Sequence, residues 1–127
     1  MTEFTVHMAN RPGQLATLTD KLSKAGVHLE ALAAFSQGAD SMVRFMASDV
    51  DAARRVLTDT GVRFEEQRVI ETVIRDEPDA LATMTRKLAN SGVNIEAMYL
   101  LHANGDSLHF AVAVDDPDTA VPQLSGL

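Results

Sequence analysis

Near the start of the chain, Phe4, Val6 and Met8 are apolar and the intervening Thr5 and His7 are polar. This alternation is the period of a half-buried strand. Asn10-Arg11-Pro12-Gly13 interrupts it, after which Leu15, Leu18, Leu22 and Ala25 recur at helical spacing. Pro12 suits the first turn of that helix, where its missing N–H costs nothing. Gly26 suits its left-handed close, so the pattern predicts a helix over Gln14–Ala25. Val27 to Phe35 is apolar except for His28 and Glu30 and reads as a second strand. Gln37 to Asp40 reads as a turn and Met42 to Ala47 as a third strand. Asp49 can cap a second helix that carries Ala53, Val56 and Leu57 and stops at Gly61. Val62 to Glu66 reads as a fourth strand.

The same pattern then recurs. With Pro12 laid on Pro78, Leu15-Ala16-Thr17 falls on Leu81-Ala82-Thr83, and Lys21-Leu22 on Lys87-Leu88. In the same register Gly26-Val27 meets Gly92-Val93, Glu30-Ala31 meets Glu96-Ala97, and Asp40-Ser41 meets Asp106-Ser107, with no gap. Shared helical composition does not explain matching Pro, Gly and Asp-Ser positions, so the chain is read as a tandem duplication. The second copy has strand residues Ile70, Thr72 and Ile74, a turn at Asp76–Asp79, and a helix over Ala80–Asn90. Strands at Val93–Leu101 and Leu108–Val114 follow. A last helix opens at Asp115–Asp118 and is shortened by Pro122, and no fourth strand follows. Each copy has the βαββαβ order of an α+β, ferredoxin-like antiparallel sheet with its helices on one face, the second copy truncated. Domain boundaries are expected at 1–67 and 68–127. A sixty-residue unit is marginal alone, and no flexible linker separates the two.

Composition narrows the function classes. The chain has 127 residues and a net charge of −7. No basic face is visible for nucleic acid or an anionic membrane. Without cysteine, disulfides, thiolate catalysis and Cys-ligated metal are excluded. No stretch approaches the ~20 apolar residues of a membrane helix, and no signal peptide is visible, so a cytoplasmic location is expected. His7, His28, His102 and His109 lack the spacing of a metal site, and neither a metal nor a cofactor is expected. Glu30 and Glu96 read as partners of Lys21 and Lys87. Met42, Met46, Met84 and Met98 read as core filler.

The candidate chemistry lies at the helix starts. A helix N-terminus offers unpaired N–H groups and partial positive charge, which favour a carboxylate. The residues before the two prolines, Arg11 and Glu77, are poor capping side chains, and Gly13 permits close approach to the backbone. From these residues alone, a solvated helix start and a ligand site both remain open. No nucleophile–base pair, phosphate loop or nucleotide fingerprint is present, so an enzyme is not expected.

The string Asn10-Arg11-Pro12-Gly13-Gln14-Leu15, followed by Leu22 and Ala25-Gly26-Val27, resembles the signature of ACT domains. Its counterpart is Asp76-Glu77-Pro78-Asp79-Ala80-Leu81 with Ser91-Gly92-Val93-Asn94-Ile95-Glu96. The resemblance covers nearly the whole chain twice. It implies a stand-alone regulator that binds an amino acid through the loop after the first strand, alone or on an enzyme partner; a homodimer is expected because the second copy lacks a fourth strand to cover the edge at Ile70–Ile74. The ligand residues it implies are Asn10, Arg11, Pro12, Gly13, His28, Asp76 and Asn94. His28 stands where many members have Asn, while Asp76 and Asp79 replace the loop's Asn and Gly in the second copy. The readings weighed against it are a regulatory subunit of a biosynthetic enzyme, an acylphosphatase-like enzyme using Arg11, and an RNA-binding sheet. The second lacks a Gly-rich anion loop. The third lacks aromatics at the central strand positions Thr5 and His7, or would need Val43 and Phe45 exposed.

Overall fold

The computed structural model describes residues 1–125. The elements are β1 (Thr2–Ala9), α1 (Gln14–Lys24), β2 (Leu29–Gln37), β3 (Asp40–Ala47), α2 (Val50–Thr60) and β4 (Arg63–Arg68), then β5 (Ile70–Arg75), α3 (Ala80–Asn90), β6 (Ile95–Asn104), β7 (Ser107–Val114) and α4 (Pro117–Leu124). The contacts divide the chain into two compact units, Thr2–Gln67 and Met1 together with the segment from Arg68 onward.

The first unit is a four-stranded sheet in the order β2-β3-β1-β4. β3 runs antiparallel to both β1 and β2, with Phe4 opposite Phe45 and Val6 opposite Val43. The strand period sends these four side chains to one face. Leu18 and Leu22 of α1 and Ala53 and Leu57 of α2 close the core on that same face. Phe4 and Phe45 stack with ring centroids 5.2 Å apart. Asp49 caps α2 by accepting from Ala52 N at 3.0 Å, and Gly61 ends it at φ 78°. Because Val43 and Phe45 are buried, they offer no platform for RNA bases.

The second unit repeats this plan with three strands in the order β5-β7-β6, all antiparallel pairs. Its core holds Ile74, Met84, Leu88, Phe110, Val112 and Leu124. α3 is the counterpart of α1 at the expected residues. Asp116 caps α4 by accepting from Thr119 N at 3.2 Å, and Pro122 lies inside that helix. Among the described residues no strand lies outside β5, so β5 is an edge.

Apart from strand ends that run one to three residues further, such as β4 to Arg68 and β6 to Asn104, three details differ from the sequence reading. The second strand of each copy begins two residues later than its apolar run, at Leu29 and Ile95. Val27 and Val93 instead complete the helix ends: Val27 N donates to Leu22 O and Gly26 N to Ser23 O, as Val93 N does to Leu88 O and Gly92 N to Ala89 O. This is the Schellman pattern, in which the residue after glycine packs back on the helix. Both valines are therefore buried without being strand residues. Second, Pro12 lies outside its helix, because Gly13 is the cap residue and adopts a left-handed conformation (φ 87°). Third, Glu30 and Glu96 are exposed, and no ion pair to Lys21 or Lys87 forms among the described residues; Lys24 pairs with Asp20 instead, at 3.1 Å. Met84 and Met46 are fully buried, and Met98 packs against the second core.

Candidate functional site

The loop after β1 is built from its own backbone bonds. Asn10 N donates to Ala39 O at 2.8 Å, and the Asn10 side-chain amide donates to Gly38 O at 2.9 Å. Asn10 thus fastens the loop to the β2–β3 turn. The sequence singled out Asn10 but not this partner; the turn glycines Gly38 and Gly105, both at φ 61°, were the available signal. Gln14 N donates to Arg11 O at 3.3 Å, and the first helical bond of α1 runs from Thr17 N to Gly13 O at 2.9 Å. No side chain caps the helix. The amides of Leu15 and Ala16 therefore stand ahead of the first helical hydrogen bond and are available to an acceptor.

This helix start opens on a groove of about 230 Å³. Asn10 and Arg11 line it from the loop, Gln14 and Leu15 from α1, Ala34 and Ser36 from β2, and Val43 from β3. Arg11 is exposed, and among the described residues it makes no ion pair. The groove thus presents a cation and helix amides above an apolar floor of Leu15, Ala34 and Val43. It is smaller than the roughly 300–1,000 Å³ of a drug-sized ligand site, a size suited to a metabolite of a few heavy atoms.

The second loop is built differently. Asp76 N donates to Asp106 O at 2.7 Å, Ala80 N to Glu77 O at 3.1 Å and Thr83 N to Asp79 O at 2.9 Å. Asp79 is the cap residue, right-handed at φ −91°, and its side chain caps nothing. The adjoining depression, of about 510 Å³, is lined by Arg75, Glu77, Asp79 and Lys87 with Ile74 and Ala80. Arg75 Nη1 lies 3.7 Å from Glu77 Oε1. The two helix starts thus differ in both charge and backbone.

His28 and Asn94 do not join these loops within their own units. Each immediately precedes its strand, whereas the loop meets the far end of the sheet: Ala9 is opposite Asp40, and Asp40 is opposite Gln37 at the end of β2. At about 3.3 Å per residue, β2 puts His28 roughly 25–30 Å from the loop. His28 O accepts from Ser48 N at 3.1 Å, and Asn94 N donates to Asp115 Oδ1 at 2.9 Å. Both positions serve the opposite end of the sheet. Of the residues singled out in sequence, the structure joins Asn10, Arg11, Pro12 and Gly13 in one loop and leaves Asp76 in the other.

Two arrangements were invisible in the sequence. His7 Nε2 and Glu65 Oε2 are 2.6 Å apart, pairing β1 with β4. Glu3 is fully buried and accepts from Arg44 Nη1 at 3.1 Å and Gln67 Nε2 at 2.6 Å. Cross-strand partners of this kind become readable only once register is known.

The fold is similar to that of several solved proteins. It is similar to protein BT0572 from Bacteroides thetaiotaomicron, with a TM-score of 0.87 and 26% identity over 97% of this chain and 85% of that one. It is also similar to the regulatory subunit of aspartate kinase from Thermus thermophilus, with a TM-score of 0.70 and 15% identity over 97% and 89% of the two chains. The corresponding subunit from Thermus flavus gives 0.66 and 16% over the same shares. No protein-family profile matches the sequence, and no curated protein matches it. The fold is thus α+β, ferredoxin-like and duplicated, as the repeated strand and helix pattern implied. No helix among the described residues is long and apolar enough to cross a membrane.

Proposed function

We propose that the chain is a regulatory module that binds a free amino acid at the groove between the β1–α1 loop and β2, and that it acts by binding rather than by turnover. The observation that carries this is the uncapped start of α1, opening on a small groove with an apolar floor beside Arg11, which makes no ion pair among the described residues. In this reading the ligand carboxylate takes the amides of Leu15 and Ala16 and the Arg11 guanidinium. Its side chain lies on Leu15, Ala34 and Val43, and its ammonium group faces Ser36 and Ser41. His28 enters such a site only from a second copy of the chain. A homodimer fits, because among the described residues β2 and β5 have no neighbouring strand on their outer sides, and open edges are ordinarily covered. The likeness to regulatory subunits of aspartate kinase supports a second form of the same reading, in which the chain acts on an enzyme partner.

The test is titration calorimetry of the pure protein with a panel of amino acids, beside native mass spectrometry for a retained ligand. Arg11→Ala is expected to weaken binding about tenfold or more, since a hydrogen bond to a charged group contributes roughly 1.5–3 kcal/mol. Binding of no panel member, or binding unchanged in Arg11→Ala, overturns the proposed site. Conversion of an amino acid by the pure chain overturns the non-enzymatic reading.

A further inference from the structure

The outer edge of β5 carries a pattern that is complementary to itself. Among the described residues β5 pairs with β7 and with no other strand. Asp76 N donates inward to Asp106 O, continuing the register in which Arg75 is opposite Ser107. Backbone groups alternate sides along a strand, so Ile70, Thr72 and Ile74 face β7, while Glu71, Val73 and Arg75 turn their N–H and C=O groups outward. Val69, one step earlier in the same alternation, already gives its N–H to Met1 O at 2.8 Å. The open stretch therefore begins at Glu71. Side chains follow the same period: Thr72 and Ile74 are buried, and Glu71, Val73 and Arg75 are exposed, with Val73 45% exposed.

We propose that β5 pairs antiparallel with β5 of a second copy of this chain, about a two-fold axis at Val73. This register sets Val73 against Val73 of the partner subunit, and sets Glu71 of each chain against the other's Arg75. It brings all three outward-facing residues into hydrogen-bonded pairs, and it places opposite charges on both sides of an apolar contact. Centring the axis on Glu71 or Arg75 would set like charges face to face, which opposes pairing. The charge pattern thus selects one register and one occupant, with the isologous contact that a two-fold dimer requires. The inference rests on the homodimer reading and names the surface that forms it.

Sedimentation velocity across a micromolar concentration series tests it on wild type, Glu71→Arg, Arg75→Glu and the Glu71→Arg/Arg75→Glu double variant, with circular dichroism to confirm folding. The wild type is expected to dimerise, each single variant to dimerise at least about tenfold more weakly, and the double variant to recover. In a Val73→Cys variant of this otherwise cysteine-free chain, mild oxidation is expected to cross-link the dimer. A wild-type dimer unaffected by either charge reversal, with no cross-link, overturns the β5 surface while leaving the homodimer reading intact. A strictly monomeric wild type overturns both.

Discussion

Arg54 and Glu66 meet through two bonds of 2.7 Å, a bidentate clamp between α2 and β4, and Asp51 takes a third guanidinium bond at 2.8 Å. The hydrogen bond from Arg54 holds the Glu66 carboxyl below the usual carboxylate range. The Thr119 hydroxyl, with the Thr119 amide, does the same for Asp116. A carboxyl with a lowered folded-state pKa stabilises the fold above its unfolded value, near 4.3 for Glu and 3.9 for Asp. That contribution is lost as pH falls through the folded value. Stability is therefore expected to be level above about pH 5 and to fall below about pH 4. Glu66→Gln should flatten part of that fall and leave the neutral-pH midpoint lower than wild type. Urea midpoints at pH 3 to 7 check this, and a variant with the wild-type acid slope would contradict it. The Arg54–Glu66 pairing was not legible in the sequence, because Glu66 reaches Arg54 across a helix–strand contact that no local spacing encodes. The loop residues were more legible. Asn10, Arg11 and Gly13 interrupt a strand immediately before a helix, and that position alone implies exposed amides. His28 was not, because a residue's end of the sheet depends on strand direction.

The duplicated helices are the elements whose reading was most secure. Each has a buried leucine in its last turn, Leu22 and Leu88, followed four residues later by glycine and then by a buried valine. Periodicity located both helices to within a residue. It failed at the strand starts, because a valine folded back on a helix end and a valine in a strand look alike as apolar positions. The truncation at Leu22 or Leu88 tests the equivalence of the two cores. Leu22→Ala and Leu88→Ala should each lower stability by about 2–5 kcal/mol, the range for a fully buried leucine. The Asp49→Ala change should cost only ~1 kcal/mol, since it removes one helix cap. Denaturant unfolding of the three variants checks the order. A Leu88→Ala variant as mild as Asp49→Ala would show that α3 is not a core helix in the sense that α1 is. Pro122 bears on the same question, because a proline inside a helix cannot donate to the carbonyl four residues back. The helix α4 runs over eight residues against eleven in α2.

At the scale of the whole chain, duplication supplies two similar scaffolds, and substitution at the helix starts makes them chemically unlike. Gly13 at φ 87° leaves the first helix start open, whereas right-handed Asp79 sets a carboxylate at the second. Arg11 brings one positive charge to the first loop. Asp76, Glu77 and Asp79 bring three negative charges to the second, only partly offset by Arg75. An exposed helix terminus favours an anion by only ~0.3–1 kcal/mol, so three nearby acids outweigh it. A ligand carboxylate is therefore expected at the first loop only, and the binding stoichiometry should be one amino acid per chain. Gly13→Asp should abolish that binding, both by charge and because an L-residue is strained at a positive φ. Neutralising the second loop with Asp76→Asn, Glu77→Gln and Asp79→Gly should raise its affinity for an anion while leaving the first site unchanged. Calorimetry on the wild type and these two variants decides the matter. Two equal sites in the wild type, or full affinity in Gly13→Asp, would contradict the asymmetry and return the second loop to the status of a working copy of the first.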